Sequence, residues 1–204
     1  IDVKPSQMAL KRLFDIVSSA CACWALLPLF GAVAIIIKVT SRGPVFFKQQ
    51  RVGIHGKPFN MLKFRSMVTN AEELKAKLEK MNEMSGPVFK MKNDPRVTPI
   101  GRWLRQTSFD ELPQLFNVVR GEMSLVGPRP VVRDELRRYG EALVYYTQVR
   151  PGLTGLWQIS GRNDVDYARR IHLDAWYVRN WNLWYDLVIL AKTFTAVLTR
   201  SGAY

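Results

Sequence analysis

Residues 16–37 read IVSSACACWALLPLFGAVAIII, a run of 22 residues without a charged side chain. A helix of this length can cross a hydrocarbon core of about 30 Å, so a transmembrane span is the simplest interpretation. Two features argue against a span. Pro28 lies in the middle of the run and removes a helical hydrogen bond. Both flanks are basic and therefore favour the cytoplasmic side, through Lys11, Arg12, Lys38 and Arg42.

A helix broken at Pro28 that enters one leaflet and returns satisfies this charge rule, and we predict such a re-entrant hairpin. The alternatives are a kinked spanning helix and a buried helix of a soluble core. A cleaved signal peptide is disfavoured because no small-residue cleavage site follows the run. Cys21 and Cys23 would point to different faces of a helix, which predicts buried free thiols rather than a disulfide or metal site.

The composition indicates a folded, basic protein. The 204 residues are 48% hydrophobic, enough for a real core and too apolar for a disordered chain. Lys and Arg number 30 against 17 Asp and Glu, a formal charge of +13. Such a surface attracts nucleic acid, acidic lipid head groups or phosphorylated substrates, and the charge alone does not choose among them.

Local patterns predict an α+β fold that is mostly helical. Residues 44–51 and 58–65 are rich in β-formers and flank a glycine-containing turn, which predicts a β-hairpin. Residues 71–84 are charge-laced and indicate a surface helix. Residues 87–99 form either a flexible basic loop or a lid that faces phosphate.

Two adjacent carboxylates, Asp110 and Glu111, stand in the sequence TSFDELPQ. Because Pro113 lacks an N–H, it predicts a helix that begins within about one turn of it, with both acids in the first turn. Acidic residues cap helix N-termini, so a structural role is one interpretation. The other is catalytic, since such a terminus also stabilises a phosphate. The cations that would offset a pyrophosphate are Arg102, Arg105 and Arg120.

Two proline- and glycine-rich motifs carry arginine. In GEMSLVGPRP, prolines fix the backbone on both sides of Arg129, and a rigid guanidinium suits bidentate phosphate contact. A plain surface turn is the alternative. In VRPGLTGLWQISGRN, Arg150 precedes glycines that let backbone N–H groups approach an anion. Arg129 and Arg150 are therefore candidate substrate-binding residues.

The C-terminal third predicts amphipathic helices. The aromatic residues between Asp174 and Asp186 suit a membrane interface, and a protein core would explain them almost as well. Apolar residues then recur with helical spacing at Leu183, Leu187, Leu190, Phe194 and Val197. This face is predicted to lie on lipid, pack on the domain or pair with a second subunit, so a homodimer stays open. His172 alone is too weak a signal for a metal site.

In this order, five motifs and the proline-broken segment resemble the bacterial sugar transferases, monotopic phosphoglycosyl transferases that start lipid-linked glycan assembly. The motifs are KRLFD (11–15), KFRSM (63–67), DELPQ (110–114), GPRP (127–130) and RPGLTG (150–155). The resemblance extends from about Lys11 to Gly202.

The resemblance implies a two-step exchange with Mg²⁺. An aspartate attacks the sugar-bearing phosphorus of a UDP-sugar and expels UMP, and undecaprenyl phosphate then discharges the phosphosugar-aspartyl enzyme. By residue matching, Asp110 is the nucleophile and Glu111 the Mg²⁺ partner. Arg105 and Arg129 contact phosphates, and Lys63 lies beside the site.

The resemblance also implies a setting. The expected location is the cytoplasmic face of a bacterial inner membrane, with residues 1–42 forming a junction and membrane hairpin and residues 43–204 the catalytic domain. The expected partners are a UDP-hexose, undecaprenyl phosphate and membrane lipid, without nucleic acid. The product would enter O-antigen, capsule or exopolysaccharide assembly. Long relatives carry N-terminal transmembrane helices, so we expect any missing part to be N-terminal and the sugar to be galactose or glucose.

Two other hypotheses remain from the sequence. A non-enzymatic basic module on the membrane would bind anionic lipid or nucleic acid, and would explain the charge and the anchor without chemistry. A membrane-spanning transferase would bind both substrates together, with no covalent step. The first predicts that Asp110 can become asparagine without loss of function.

Overall fold

The computed structural model describes residues 4–78, 91, 93–161 and 165–198. Most of the described chain is helical, which confirms that part of the predicted fold class. The α-helices are α1 Pro5–Ala25, α2 Leu27–Thr40, α3 Ala71–Leu78, α4 Pro99–Gln106, α5 Gln114–Arg120, α6 Leu143–Thr147, α7 Leu156–Ile159, α8 Tyr167–Arg179 and α9 Leu183–Leu198. The strands are β1 Phe46–Val52, β2 Pro58–Phe64, β3 Ser124–Val126 and β4 Gly152–Thr154.

The apolar run forms two helices that meet at a bend of 60°. The break lies at Leu26, two residues before the predicted position. Pro28 occupies the first turn of α2, where a missing N–H breaks no helical hydrogen bond. Proline therefore begins the second helix rather than interrupting one.

The length and hydropathy of α1 and α2 bear on whether they could cross a membrane. Among the described helices, none is by itself both long and apolar enough to cross a bilayer, whereas α1 and α2 reach that length and hydropathy as a bent pair. The pair exposes many apolar side chains, including Leu13, Val17, Trp24, Leu27, Ile35 and Val39. The thiol prediction is confirmed for Cys23, which is buried, and is wrong for Cys21, which is exposed.

The predicted hairpin is confirmed. Strands β1 and β2 pair antiparallel, with Phe47 opposite Lys63 and Arg51 opposite Phe59. Because strand side chains alternate between faces, Arg51 and Lys63 lie on the same face, roughly 13 Å apart along the ladder. The hairpin thus presents two long cationic side chains to one side. A short parallel pair, β3 with β4, was not predicted.

Helix α1 is attached to the rest of the protein by buried charged groups. Lys11 Nζ donates to Asp186 Oδ2 of α9 at 2.5 Å, and Asp15 accepts from Ser124 Oγ at 2.8 Å and from the Leu125 N–H at 3.2 Å. Tyr177 also donates to Asp186. The KRLFD motif therefore fixes α1 onto β3 and α9.

We expect Asp15→Ala to destabilise the protein, because it removes the acceptor of the buried Leu125 N–H. A lost buried partner costs about 1 to 3 kcal/mol, equivalent to a fall in thermal midpoint of about 2 to 10 °C. The midpoint is measured in detergent micelles, with the exposed Asp134→Ala as the matched control. Equal midpoints for the two variants would contradict this role of Asp15.

Residues 71–99 are described only in part. The predicted helix runs from Ala71 to Leu78, and residues 79–84 lie outside the described chain. Of the predicted loop or lid, residues 87–90 and 92 also lie outside it. Asp94 and Arg96 form a buried ion pair at 2.6 Å, which fixes this described part of the segment.

Candidate active site

The acidic pair lies in a 3₁₀ turn, Phe109–Glu111, between α4 and α5. Ser108, with φ of 58°, enters the left-handed region and separates this turn from α4. Helix α5 begins only at Gln114, after Pro113. The predicted helix start with both acids in its first turn therefore corresponds to this 3₁₀ turn and not to α5, and the charges of Lys63 and Arg105 act on Asp110 there.

Asp110 is a buried carboxyl group, 8% exposed. The pKa of Asp110 is raised to about 6, mainly by burial and also by the charge of Glu111, while Lys63 and Arg105 act in the opposite direction. The group is therefore ionised at neutral pH yet remains poorly solvated. A carboxylate in this state retains nucleophilic character.

Glu111 and Lys63 form the ion pair beside Asp110. Lys63 Nζ lies 2.6 Å from Glu111 Oε1, and both side chains are partly exposed. The β-hairpin supplies Lys63 and the 3₁₀ turn supplies Glu111. The structure thus brings these residues together from positions 48 apart in the sequence.

Arg105 supports the same turn from α4. Its Nε donates to Ser66 Oγ at 3.0 Å, which fixes the guanidinium beside the KFRSM segment. Burial lowers the pKa of Arg105, whereas the nearby Asp110 raises it. Arg105 therefore places a fixed positive charge near Asp110.

A cavity of about 660 Å³ opens beside this turn. Its polar wall includes Lys63, Glu111, Arg51, Arg129 and Arg170, and its apolar wall includes Leu190, Phe194 and Val197 of α9. Phe109 and Glu111, on either side of Asp110, reach the cavity surface. The site is therefore amphipathic, with cations facing an apolar helix.

The Gly-Pro-Arg-Pro segment is held by close backbone contacts. A Cβ on Gly127 would lie 2.6 Å from the Arg150 carbonyl oxygen, so only glycine fits there. The Arg129 N–H donates to Asp174 Oδ2 at 3.3 Å, and the Tyr139 hydroxyl donates to the same oxygen at 3.3 Å. A tertiary hydrogen bond from Asp174 of α8 thus helps to fix the backbone of Arg129, in addition to the two flanking prolines.

Asp174 is fully enclosed, and burial raises its pKa to about 7. The folded protein therefore holds a proton that the unfolded chain, with a carboxyl pKa of about 3.9, loses. The contribution of Asp174 to stability therefore falls as pH rises from about 4 to 7 and is constant above that range. Asp110 contributes in the same direction up to about pH 6.

We expect the thermal midpoint to decrease between pH 5 and pH 8, and Asp174→Asn to flatten that decrease, because asparagine does not ionise. The measurement is differential scanning fluorimetry at matched ionic strength. Asp134→Asn, on an exposed segment, serves as the control and should follow the wild-type profile. A wild-type midpoint that rises over this interval would contradict the assignment.

The structure does not bring Arg150 into this cavity. Its Nε donates to the Gly121 carbonyl at 2.8 Å, and it lines a separate small cavity with Lys11, Arg12 and Asp15. This hydrogen bond fixes the Arg150 side chain at the C-terminal end of α5. Among the described residues, no group of three His, Cys, Asp or Glu side chains is arranged as a metal site, and His172 is in no such group.

Sequence reasoning missed Arg51, Arg170, Trp157 and Asp174. The first three line the cavity, and Asp174 positions the backbone of Arg129. Arg51 follows the polar residues Lys48, Gln49 and Gln50 in β1, and Arg170 lies in a charge-rich helix, so no local pattern distinguishes either arginine from a surface residue.

A family model for the bacterial sugar transferases matches residues 6–200. The chain belongs to this family. The match includes α1 from its second residue, α2, the acidic turn and α9. The resemblance inferred from the motifs is therefore confirmed.

Curated relatives place this bacterial sugar transferase among named proteins of polysaccharide synthesis. It is 52% identical over 206 residues to an undecaprenyl-phosphate galactose phosphotransferase of Salmonella typhimurium, which covers 98% of this chain and 43% of the relative. It is 48% identical to the exopolysaccharide production protein ExoY of Rhizobium meliloti, covering 99% and 91%. It is 44% identical to an undecaprenyl-phosphate glucose phosphotransferase of Komagataeibacter xylinus, covering 95% and 37%.

The chain spans less than half the length of the Salmonella and Komagataeibacter relatives but nine tenths of the Rhizobium protein. Because each of the three alignments covers at least 95% of this chain, the shared segment contains the acidic turn, the hairpin and the cavity described above.

Proposed function

We propose that this protein is an enzyme that transfers hexose 1-phosphate from a UDP-sugar to undecaprenyl phosphate, releasing UMP. The observation that carries the proposal is the buried Asp110, flanked by the Lys63–Glu111 pair at a cavity with cationic and apolar walls. Relatives named for galactose and glucose phosphotransfer support a hexose donor.

The proposed chemistry is two displacements at one phosphorus atom. A carboxylate oxygen of Asp110 bonds to the sugar-bearing phosphorus, the P–O bond to UMP breaks, and UMP leaves with the bonding electrons. An oxygen of undecaprenyl phosphate then bonds to the same phosphorus, and the acyl phosphate bond breaks to regenerate Asp110. Neither step needs a proton transfer, because nucleophiles and leaving groups are anions throughout.

The residues around Asp110 fit this chemistry. Lys63 and Arg105 lower the pKa of a carboxyl group that burial raises, which keeps the nucleophile ionised. The same cations offset its repulsion from an anionic diphosphate. Fixed positions matter most here, since phosphoryl transfer depends mainly on orientation and charge neutralisation.

The donor set also fits Mg²⁺. This ion is often bound by one or two carboxylates together with substrate phosphates, and Glu111 presents a partly exposed carboxylate at the cavity wall. When bound, Mg²⁺ would neutralise charge on the diphosphate. Glu111 would hold it, and Lys63 would retain its place beside Asp110.

The apolar features suit a lipid acceptor and a site at the cytoplasmic face of the bacterial inner membrane. The wall formed by Leu190, Phe194 and Val197 would contact the first isoprene units, while the lipid phosphate faces the arginines. The bent pair α1–α2 exposes apolar side chains that a single leaflet would cover. Residues 1–42 would then form the membrane attachment of the catalytic residues 43–204.

The test is radiolabel transfer from UDP-galactose, UDP-glucose and UDP-N-acetylglucosamine to undecaprenyl phosphate, with Mg²⁺ and with EDTA. We expect a chloroform-soluble labelled product with one of the two hexoses and none with EDTA. No product with any donor, despite binding to anionic vesicles, would favour the non-enzymatic membrane module instead.

A further inference from the structure

Three arginines from distant parts of the chain line the same cavity, and two of them lie over one indole ring. Arg51 comes from β1, Arg129 from the Gly-Pro-Arg-Pro segment and Arg170 from α8. The guanidinium of Arg170 lies 4.7 Å from the centroid of the Trp157 ring, and that of Arg129 lies 5.9 Å from it. All four residues line the 660 Å³ cavity. We call the three arginines the arginine cluster.

The cluster concentrates buried positive charge. Arg51 and Arg170 are each only 8% exposed. Burial lowers the pKa of both guanidinium groups and the charge of Arg129 lowers each further, whereas Glu135 acts on both in the opposite direction. Glu135 Oε1 lies 4.0 Å from Arg51 Nη1, at the limit of an ion pair. An arrangement of this kind is stabilised by a bound anion.

Two buried N–H donors of this cavity lack a hydrogen-bond acceptor among the described residues. In the part of the chain that the structure describes, the buried Arg51 Nε and Trp157 Nε1 have no hydrogen-bond partner. Arg51 is otherwise fixed, since its Nη1 donates to the Pro130 carbonyl at 3.1 Å. Buried N–H groups without acceptors are uncommon, and a ligand oxygen is one way to satisfy them.

The arginine cluster lines the same cavity as the Lys63–Glu111 pair that lies beside Asp110. Arg51 and Lys63 project from the same face of the hairpin, roughly 13 Å apart along the ladder. The charge of Glu111 nevertheless reaches Arg51 and raises its pKa. Because Arg51, Lys63 and Glu111 line one cavity, long side chains from both groups can reach one diphosphate.

The geometry of in-line displacement suggests which group the arginine cluster would bind. In phosphoryl transfer the attacking and leaving oxygens lie roughly opposite each other on phosphorus. If Asp110 attacks from one side, UMP departs from the opposite side, and the lipid phosphate enters from that same side in the second displacement. One anion position therefore has to accommodate both groups in turn.

We propose that the arginine cluster, Arg51, Arg129 and Arg170, is an anion subsite for the phosphate monoester opposite Asp110. It holds the departing nucleoside monophosphate first and the attacking lipid phosphate second. This inference rests on the proposed function. The Trp157 ring holds the guanidinium groups of Arg129 and Arg170 on its face, and Arg51 supplies a buried donor.

The test is binding to the detergent-solubilised protein without turnover. Isothermal titration with UMP is compared for wild type, Arg170→Gln and Arg169→Gln, the last being an exposed neighbour on the same helix. We expect Arg170→Gln to weaken UMP binding about 10-fold or more and Arg169→Gln to change it less than about 2-fold. Arg170→Lys keeps the charge without the planar fork and should give an intermediate loss.

A second arm distinguishes the two sources of phosphate. A polyprenyl phosphate in the same micelles should compete with UMP, and Arg170→Gln should weaken both ligands. Full-strength UMP binding by Arg170→Gln, loss of only one ligand, or simultaneous binding of both would overturn the shared subsite. Thermal midpoints verify folding, and Arg170→Lys decides the matter if the glutamine variant unfolds. Absence of sugar transfer by a wild type that still binds UMP would instead refute the proposed function.

Discussion

Replacing Asp110 with asparagine is expected to reduce sugar-phosphate transfer by about 1,000-fold or more, to background. The amide is similar in shape but a far weaker nucleophile, and a covalent route loses its first step entirely. Transfer is measured as labelled lipid product from the preferred UDP-hexose. Asp134→Asn provides the matched control, because Asp134 is exposed on the 3₁₀ segment Arg133–Arg138.

The same substitution should not destabilise the protein. Because burial raises the pKa of Asp110 to about 6, its ionisation at pH 8 opposes folding. Removing that charge is expected to stabilise the folded state by about 1 to 3 kcal/mol, as is common when a catalytic group is neutralised. Retained transfer by a stable Asp110→Asn protein would contradict the proposed role of Asp110.

Replacing Lys63 with methionine is expected to cause the second largest loss, about 100-fold at neutral pH. Lys63 makes the largest contribution that keeps the pKa of Asp110 down, so its removal raises that pKa above about 6. Less of the nucleophile is then ionised, and the positive charge facing the diphosphate is reduced. The acidic limb of the pH profile for UMP release should therefore move to higher pH.

Glu111→Gln tests the opposite sign at the same site. Glu111 raises the pKa of Asp110, so its neutralisation should move the acidic limb to lower pH. Transfer at saturating donor should also decrease, and the concentration of Mg²⁺ required should rise, if Glu111 holds the ion. If the acidic limb of the pH profile for UMP release moved in the same direction in Lys63→Met and in Glu111→Gln, the ionisation of Asp110 would not control that profile.

Local signals predicted the elements of this fold that depend on few residues. Pro28 and the basic flanks indicated two helices rather than one, and β-formers around glycines indicated the hairpin. The position of the break differed because proline is well accommodated in the first turn of a helix. The acids were predicted at a helix start, but the separation of their 3₁₀ turn from α5 was not predicted, and the left-handed Ser108 that begins the turn carries no clear sequence signal.

The candidate site was predictable where a motif is continuous and unpredictable where the fold assembles it. Asp110, Glu111 and Arg129 lie in short motifs, and their roles followed from resemblance. Arg51 and Arg170 come from β1 and α8 and meet only at the folded cavity, and Asp174 of α8 reaches the backbone of Arg129 across 45 positions of sequence. Arg150 was grouped with the site by composition, whereas its hydrogen bond to Gly121 directs it elsewhere.

The central claim, a covalent aspartyl intermediate, is tested most directly by mass spectrometry of the purified protein incubated with Mg²⁺ and a UDP-hexose in the absence of lipid. We predict release of UMP together with a mass increase of one hexose phosphate on the peptide that contains Asp110, and loss of that increase when undecaprenyl phosphate is added. Lipid product formed at full rate by a protein that never carries the added mass, or that carries it on another residue, would contradict the account.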